Sequence, residues 1–221
     1  MIKFLTFIFV YILSIGVMAT EFKVTDVLGA PASGIAVYLI PQDESKLNDL
    51  WANQTNTAST KTIISQENKK FSPYLSVTSK QNPIVFDNKD DITHHIYSID
   101  KENSFDFKLR SGEQKSDISF AKKTTIAMGC NIHDWMAGHL LIVDTPFYGI
   151  TNIDGKVVFS DLPDIGFKLK LFHPQLSEVD NDREITFTLT TKPFLVKLIE
   201  PITATPLQQD TSEFDFVEGY E

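Results

Sequence analysis

Apolar positions along this chain recur mostly with a period of two, in short runs separated by turn residues. That pattern predicts strands rather than helices. Glu21-Phe22-Lys23-Val24-Thr25-Asp26-Val27 alternates, Leu28-Gly29-Ala30-Pro31 reads as a turn, and residues 35–40 run back, so these two segments are expected to form a hairpin. Residues 44–51 are long enough for two helical turns, and 53–60, rich in Asn, Thr and Ser, has the composition of a loop or linker. Strands are expected next at 62–64, 71–78, 84–86, 94–99, 105–109 and 125–130. A closing strand at 140–143 ends at Asp144-Thr145-Pro146. Beyond it, 150–159 and 167–172 read as strands around a turn at Leu162-Pro163, and 185–199 supplies one or two more. Turn signals at such short intervals favour a sandwich or barrel over a parallel α/β sheet, and no internal repeat is visible.

Two features of composition change this picture. The first is a leader: Lys3 supplies a positive end, 4–16 is nearly all apolar, and Val17-Met18-Ala19 offers small residues for cleavage. Residues 1–19 therefore read as a signal peptide, with a mature chain that starts near Thr20 and is periplasmic or secreted. The apolar run falls short of the roughly 20 residues that a spanning helix needs, so no stable membrane insertion is expected after cleavage. The second is charge. A net charge of −9 argues against a nucleic-acid or anionic-membrane partner. From Glu200 onward there are acids but no Lys or Arg, so 201–221 reads as a solvated acidic tail.

The chemistry concentrates at Cys130, the chain's one cysteine. A lone cysteine in an exported chain cannot form an internal disulfide and is open to oxidation, and metal ligation is a reason to keep it. Ile126, Met128 and Cys130 fall on one face of their strand, so the thiol points inward while the loop at 131–136 turns at the end of the sheet. Cys130, His133 and Met136 stand at Cys-x2-His-x2-Met spacing, and His94, 36 positions before the cysteine, is the candidate for a second imidazole. A soft thiolate, two imidazoles and a weak axial thioether suit copper that alternates between Cu(I) and Cu(II). Zinc is the main competitor, but it normally takes a tetrahedral set of harder ligands and seldom a thioether. A dinuclear copper centre would need a second cysteine. Neighbouring strand residues point to opposite faces, so only one of His94 and His95 can face the metal. No nucleophile-base pair, carboxylate dyad or phosphate loop gives a specific signal, so no enzyme activity is expected.

Over residues 61–145, the order Asn88, Asp90, His94, Cys130, His133 and Met136 resembles the cupredoxin superfamily, and the loop is most similar to those of plastocyanin and amicyanin. Phe71-Ser72-Pro73, His94-His95-Ile96-Tyr97-Ser98, the run from Gly129 to Met136 and Val143-Asp144-Thr145-Pro146 are similar to a group of bacterial cupredoxins named methylamine utilisation proteins. The chain departs from the usual pattern at Lys80-Gln81-Asn82 and at Thr124, where glycine is common in the family. The resemblance implies an all-β, cupredoxin-type Greek-key β-sandwich or barrel and one copper, held by His94, His133, Cys130 and an axial Met136. It implies that His95 takes the place of an asparagine that ties its strand to Asn131. It also implies an electron exit at His133 and an apolar collar of Ile132, Trp135 and Ala137, against which a redox protein such as a c-type cytochrome or periplasmic dehydrogenase would dock.

The flanks resemble a second fold. Residues 23–39, and Thr151-Asn152-Ile153-Asp154-Gly155 through His173-Pro174, are similar to prealbumin-like or carboxypeptidase-regulatory-like β-sandwiches. The implied organisation is an N-terminal hairpin and short helix of that sandwich (20–52), the cupredoxin unit (61–145) and the remaining flanking strands (146–200). Insertion of the cupredoxin unit between two halves of the sandwich and a serial order both fit. His173 reads as a surface histidine before a turn proline. The function expected is a type 1 copper protein that shuttles single electrons. The alternatives are a copper carrier or sensor without a redox partner, and a secreted β-sandwich interaction module.

Overall fold

The computed structural model describes residues 19–53, 61–80, 82–98, 100, 102–176, 182–186 and 193–206. The expected leader up to residue 18, the linker at 54–60, Gln81, the middle of the run 185–199 and the tail from 207 lie outside the described residues. In chain order the strands are β1 (Ala19–Thr25), β2 (Ala36–Pro41), β3 (Thr62–Glu67), β4 (Lys70–Ser72), β5 (Leu75–Ser79), β6 (Ile84–Asn88), β7 (His94–Ser98) and β8 (Phe105–Leu109). Then follow β9 (Gln114–Ile118), β10 (Thr124–Cys130), β11 (Ala137–Val143), β12 (Tyr148–Ile150), β13 (Lys156–Ser160), β14 (Gly166–Phe172), β15 (Asp182–Thr186) and β16 (Phe194–Lys197). A 3-10 turn at Glu44–Lys46 leads into one short helix, α1 (Leu47–Asn53), and Asp43 caps the turn by accepting the Ser45 N–H. The described residues are nearly all β, as the period-two pattern predicts. No helix among them is long and apolar enough to cross a membrane.

The strands form four sheets, ordered β13-β1-β16, β12-β2-β14-β15, β5-β11-β10-β7-β8 and β4-β3-β6-β9. Two main cores result. Phe22, Val24, Val37, Leu39, Val157, Phe159 and Phe167 belong to one, built from the segments on either side of the cysteine region. Ile64, Phe86, Ile96, Ile126, Met128, Cys130, Leu140 and Ile142 belong to the other. Between them runs a smaller cluster, a seam in which Leu75, Leu141 and Val143 meet Ala36, Tyr38 and Phe172. β11 divides its side chains by parity: Leu140 and Ile142 enter the second core, whereas Leu141 and Val143 enter the seam. β2 does the same, with Val37 and Leu39 in the first core and Ala36 and Tyr38 in the seam.

Four sequence expectations are corrected. β1 and β2 do not form a hairpin: β1 pairs with β13 and β16, and β2 with β12 and β14. Each has one apolar face directed at the first core, and placing them in different sheets brings Phe22 and Val24 into one cluster with Val37 and Leu39. The single strand expected at 71–78 is two, because Pro73 interrupts it; β4 pairs with β3 in one sheet and β5 with β11 in another. The run 150–159 is split by a turn in which Gly155, at φ 72°, donates its N–H to the Asn152 carbonyl. His173 is buried rather than on the surface, because the turn after β14 packs against Tyr74.

Candidate metal centre

β10 lies at the centre of its sheet, between β7 and β11. Its inward residues Ile126, Met128 and Cys130 are buried, and Cys130, at the strand's last position, is 3% exposed. Gly129, one residue earlier, is opposite Tyr97 in β7, and a Cβ there would come within 2.8 Å of the Tyr97 ring. A side chain at that position would have to displace the Tyr97 ring that lies across it. His94 begins β7 and is fully buried, whereas the next residue, His95, lies on the opposite face and is only half-buried. The loop after β10 turns back on itself through a Met136 N–H to His133 carbonyl bond of 2.9 Å, and Met136 is buried in the same core as Cys130.

These elements bring three donors together. The Cys130 Sγ stands 3.7 Å from the His94 Nδ1 and 3.8 Å from the His133 Nδ1. All three ligating atoms lie within 4.8 Å of one another, and all three residues are buried. The His94 Nε2–H donates to the Asp90 carboxylate at 2.8 Å, which fixes the ring with its Nδ1 side toward the sulfur. Asp90 is itself held by the Asn68 and Lys69 N–H groups at 2.6 and 3.0 Å, donated from a tight turn in which both residues have positive φ. Asn88 braces the same corner, accepting the Asp90 N–H and donating to the Ile92 and Leu109 carbonyls.

Electrostatics favour a thiolate here. Burial pushes the Cys130 thiol up, but hydrogen bonds from His94, the Ile132 N–H, His133 and the His95 backbone outweigh it and bring the pKa to about 6. Burial pushes His94 down, but the Cys130 sulfur and the Asp90 carboxylate outweigh it and hold the imidazole above its ordinary value. The corner thus favours loss of the proton from sulfur. A metal ion bound here would take the place of the proton that the sulfur gives up.

The outer residues fall around this centre. Asn131 Nδ2 donates to His95 Nδ1 at 3.2 Å, and the Asn131 N–H donates to the His95 carbonyl at 2.9 Å, so the pair links β7 to the residue after Cys130. His95 Nε2 in turn donates to Asp106 on β8. Trp135 packs on His133, with ring centroids 5.3 Å apart. His133 is 8% exposed, Ile132 is 53% exposed, and Trp135 and Ala137 are half-buried. The sequence pattern includes Asp90 without assigning it a task. Its hold on His94 depends on the turn at Asn68 and Lys69, 22 and 21 residues earlier in the chain, and that pairing leaves no local signal.

Replacing Asp90 by Asn removes the negative acceptor behind His94. Metal affinity is expected to fall by about 10- to 100-fold, the usual cost of losing such a partner. In the metal-free protein the His94 pKa is expected to fall as well, read from its ring proton shifts. Unchanged affinity and titration would show that Asp90 merely fills space.

No family model and no curated protein matches the chain. Among solved structures, it is similar over 37% of its length to a copper-containing nitrite reductase from Thermus scotoductus SA-01, at 22% identity and TM-score 0.35, and the match spans 22% of that chain. It is similar over 38% of its length to amicyanin from Paracoccus versutus, at 12% identity and TM-score 0.35, spanning 82% of that chain. A mutant of amicyanin in the Cu(I) form matches over 39% of this chain and 85% of its own, at 11% identity and TM-score 0.36.

Proposed function

We propose that the protein is a periplasmic or secreted cupredoxin that holds one copper ion at His94, Cys130, His133 and Met136 and shuttles single electrons. The observation that carries this reading is the convergence of two imidazole Nδ1 atoms on one buried sulfur, at 3.7 and 3.8 Å. A thiolate and two imidazoles beside a buried methionine form the soft donor set that suits copper. Zinc would seek a harder fourth donor, but the nearby Asp90 carboxylate is already engaged by two backbone amides and the far nitrogen of His94. Copper, when bound, supplies a one-electron change between Cu(I) and Cu(II). The chain's residues hold the donors in place: Asp90 fixes the His94 ring, the His95–Asn131 pair fixes the start of the loop, and burial keeps water from the sulfur.

In this reading the segment 61–145 is a cupredoxin unit inserted between two halves of a flanking β-sandwich, which accounts for the first core drawing on residues from both sides of it. Ile132, Trp135 and Ala137 form the face offered to a redox protein such as a c-type cytochrome or a periplasmic dehydrogenase. The test is to load the purified protein with copper. One copper per chain, intense visible absorption in the oxidised form and a reversible voltammetric wave are expected. Copper uptake without a reversible wave would favour a carrier or sensor, and no uptake would leave only a structural module.

Met136 is assigned the weak axial position. Met136→Leu is expected to retain copper and raise the reduction potential, since loss of the axial donor disfavours Cu(II). Loss of copper, or an unchanged potential measured by voltammetry, would refute that assignment.

A further inference from the structure

A second group of titratable side chains lies at one end of the seam, apart from the metal centre. His139 sits on the seam-facing side of β11, in line with Leu141 and Val143, and its backbone N–H donates to the Tyr74 carbonyl at 2.8 Å. Tyr74 links β4 to β5, and its ring meets the His139 ring edge-on at a centroid distance of 5.2 Å. On the other side of the seam, the turn after β14 brings His173 to 6.4 Å from the same Tyr74 ring and lets Gln175 Nε2 donate to the Tyr74 hydroxyl at 2.8 Å. His173 is 8% exposed. Its Nδ1 accepts the Gln175 N–H at 3.3 Å, and its carbonyl accepts the Leu176 N–H at 2.9 Å. The turn is therefore built around an imidazole whose Nδ1 is a lone-pair acceptor.

That last contact decides what the cluster can do. With Nδ1 accepting, the neutral ring carries its proton on Nε2, so it presents a donor rather than a metal-ligating lone pair on that side. A second metal site is thereby disfavoured. Protonation, by contrast, puts an N–H on Nδ1 against the Gln175 N–H and places a charge in a buried seam. The titratable groups facing His173 are His139 from β11 and Tyr74 from the β4–β5 connection. Among the described residues, no carboxylate forms an ion pair with either ring.

We propose that this cluster is an acid-sensitive latch between the two cores: protonation of His173 and His139 releases the turn at 173–176 from Tyr74 and loosens this end of the seam. Burial holds His139 below its ordinary value, and burial followed by repulsion from His139 does the same for His173. The sign follows from linkage. Both rings are favoured neutral in the folded protein, so their contribution to stability is complete above the unfolded value of about 6.5. It falls as the pH drops below that value toward the lower folded values. The latch does not depend on copper.

The test uses the full chain in metal-free form, with proton NMR titration of the five histidines and amide protection factors for Gln175 and Leu176 corrected for intrinsic exchange. Both rings are expected to titrate below about 6.5, and the two amides to lose protection severalfold between about pH 7.5 and about pH 5. In the double variant His139→Phe with His173→Asn, whose asparagine oxygen can still accept the Gln175 N–H, that loss is expected to vanish. Titration of His173 at or above its ordinary value, or equal loss of protection in the double variant, would overturn the proposal. The titration decides it even where the double variant does not fold.

Discussion

Replacing Cys130 by serine is expected to abolish the intense visible absorption of the copper-loaded protein. Such absorption requires charge transfer from a thiolate, and a serine hydroxyl at the same place is a harder, far less polarisable donor that stays protonated. The sulfur is also the point on which both imidazoles converge, so its loss removes the centre of the donor set rather than one arm. A copper-reconstituted serine variant that kept the band would end the assignment.

The same substitution has a consequence in the metal-free protein. The folded Cys130 pKa of about 6 lies below the ordinary 9.0, so the thiolate is stabilised by folding. A group shifted in this direction contributes stability that is fully present above the unfolded value. That contribution is lost as the pH falls from about 9 through about 6. The serine variant is expected to lack this slope, read from denaturant unfolding midpoints across that range. An identical slope in both proteins would place its origin elsewhere.

What the sequence made legible was local. The alternation of Ile126, Met128 and Cys130 points the thiol inward, where the structure buries it, because period two sets facing without knowledge of the partner strand. The order of His94, Cys130 and His133 likewise names three groups that the fold brings together. Pairing was not legible. The alternation in β1 is the same whether it pairs with β2 or, as it does, with β13 far along the chain, and short separation made the hairpin the natural reading. Asp90 and His173 escaped for a related reason. One takes its meaning from a turn at Asn68 and Lys69, the other from Tyr74 across the seam, and neither partner is close in sequence. Met136 and Trp135 look the same whether they serve the site or only fill the loop, since both tasks call for an apolar side chain.

The adjacent histidines offer the sharpest discrimination. His94 is fully buried with its Nδ1 on the cysteine sulfur, whereas His95 faces the other way, bonded to Asn131 through Nδ1 and to Asp106 through Nε2. Both nitrogens of His95 are thus occupied outside the site, and it has no lone pair left to offer a metal. His94→Ala is expected to lose the visible band, since one of two imidazoles goes and the Asp90 carboxylate is left without its imidazole donor. His95→Ala is expected to keep the band with a shifted potential or an affinity lowered by about 10- to 100-fold, because the link from β7 to the residue after Cys130 is retained only through the backbone bond. Absorption spectra of the two copper-loaded variants decide the matter. A bleached His95 variant beside a coloured His94 variant would mean that the strand is out of register by one residue, and with it every facing derived from its parity.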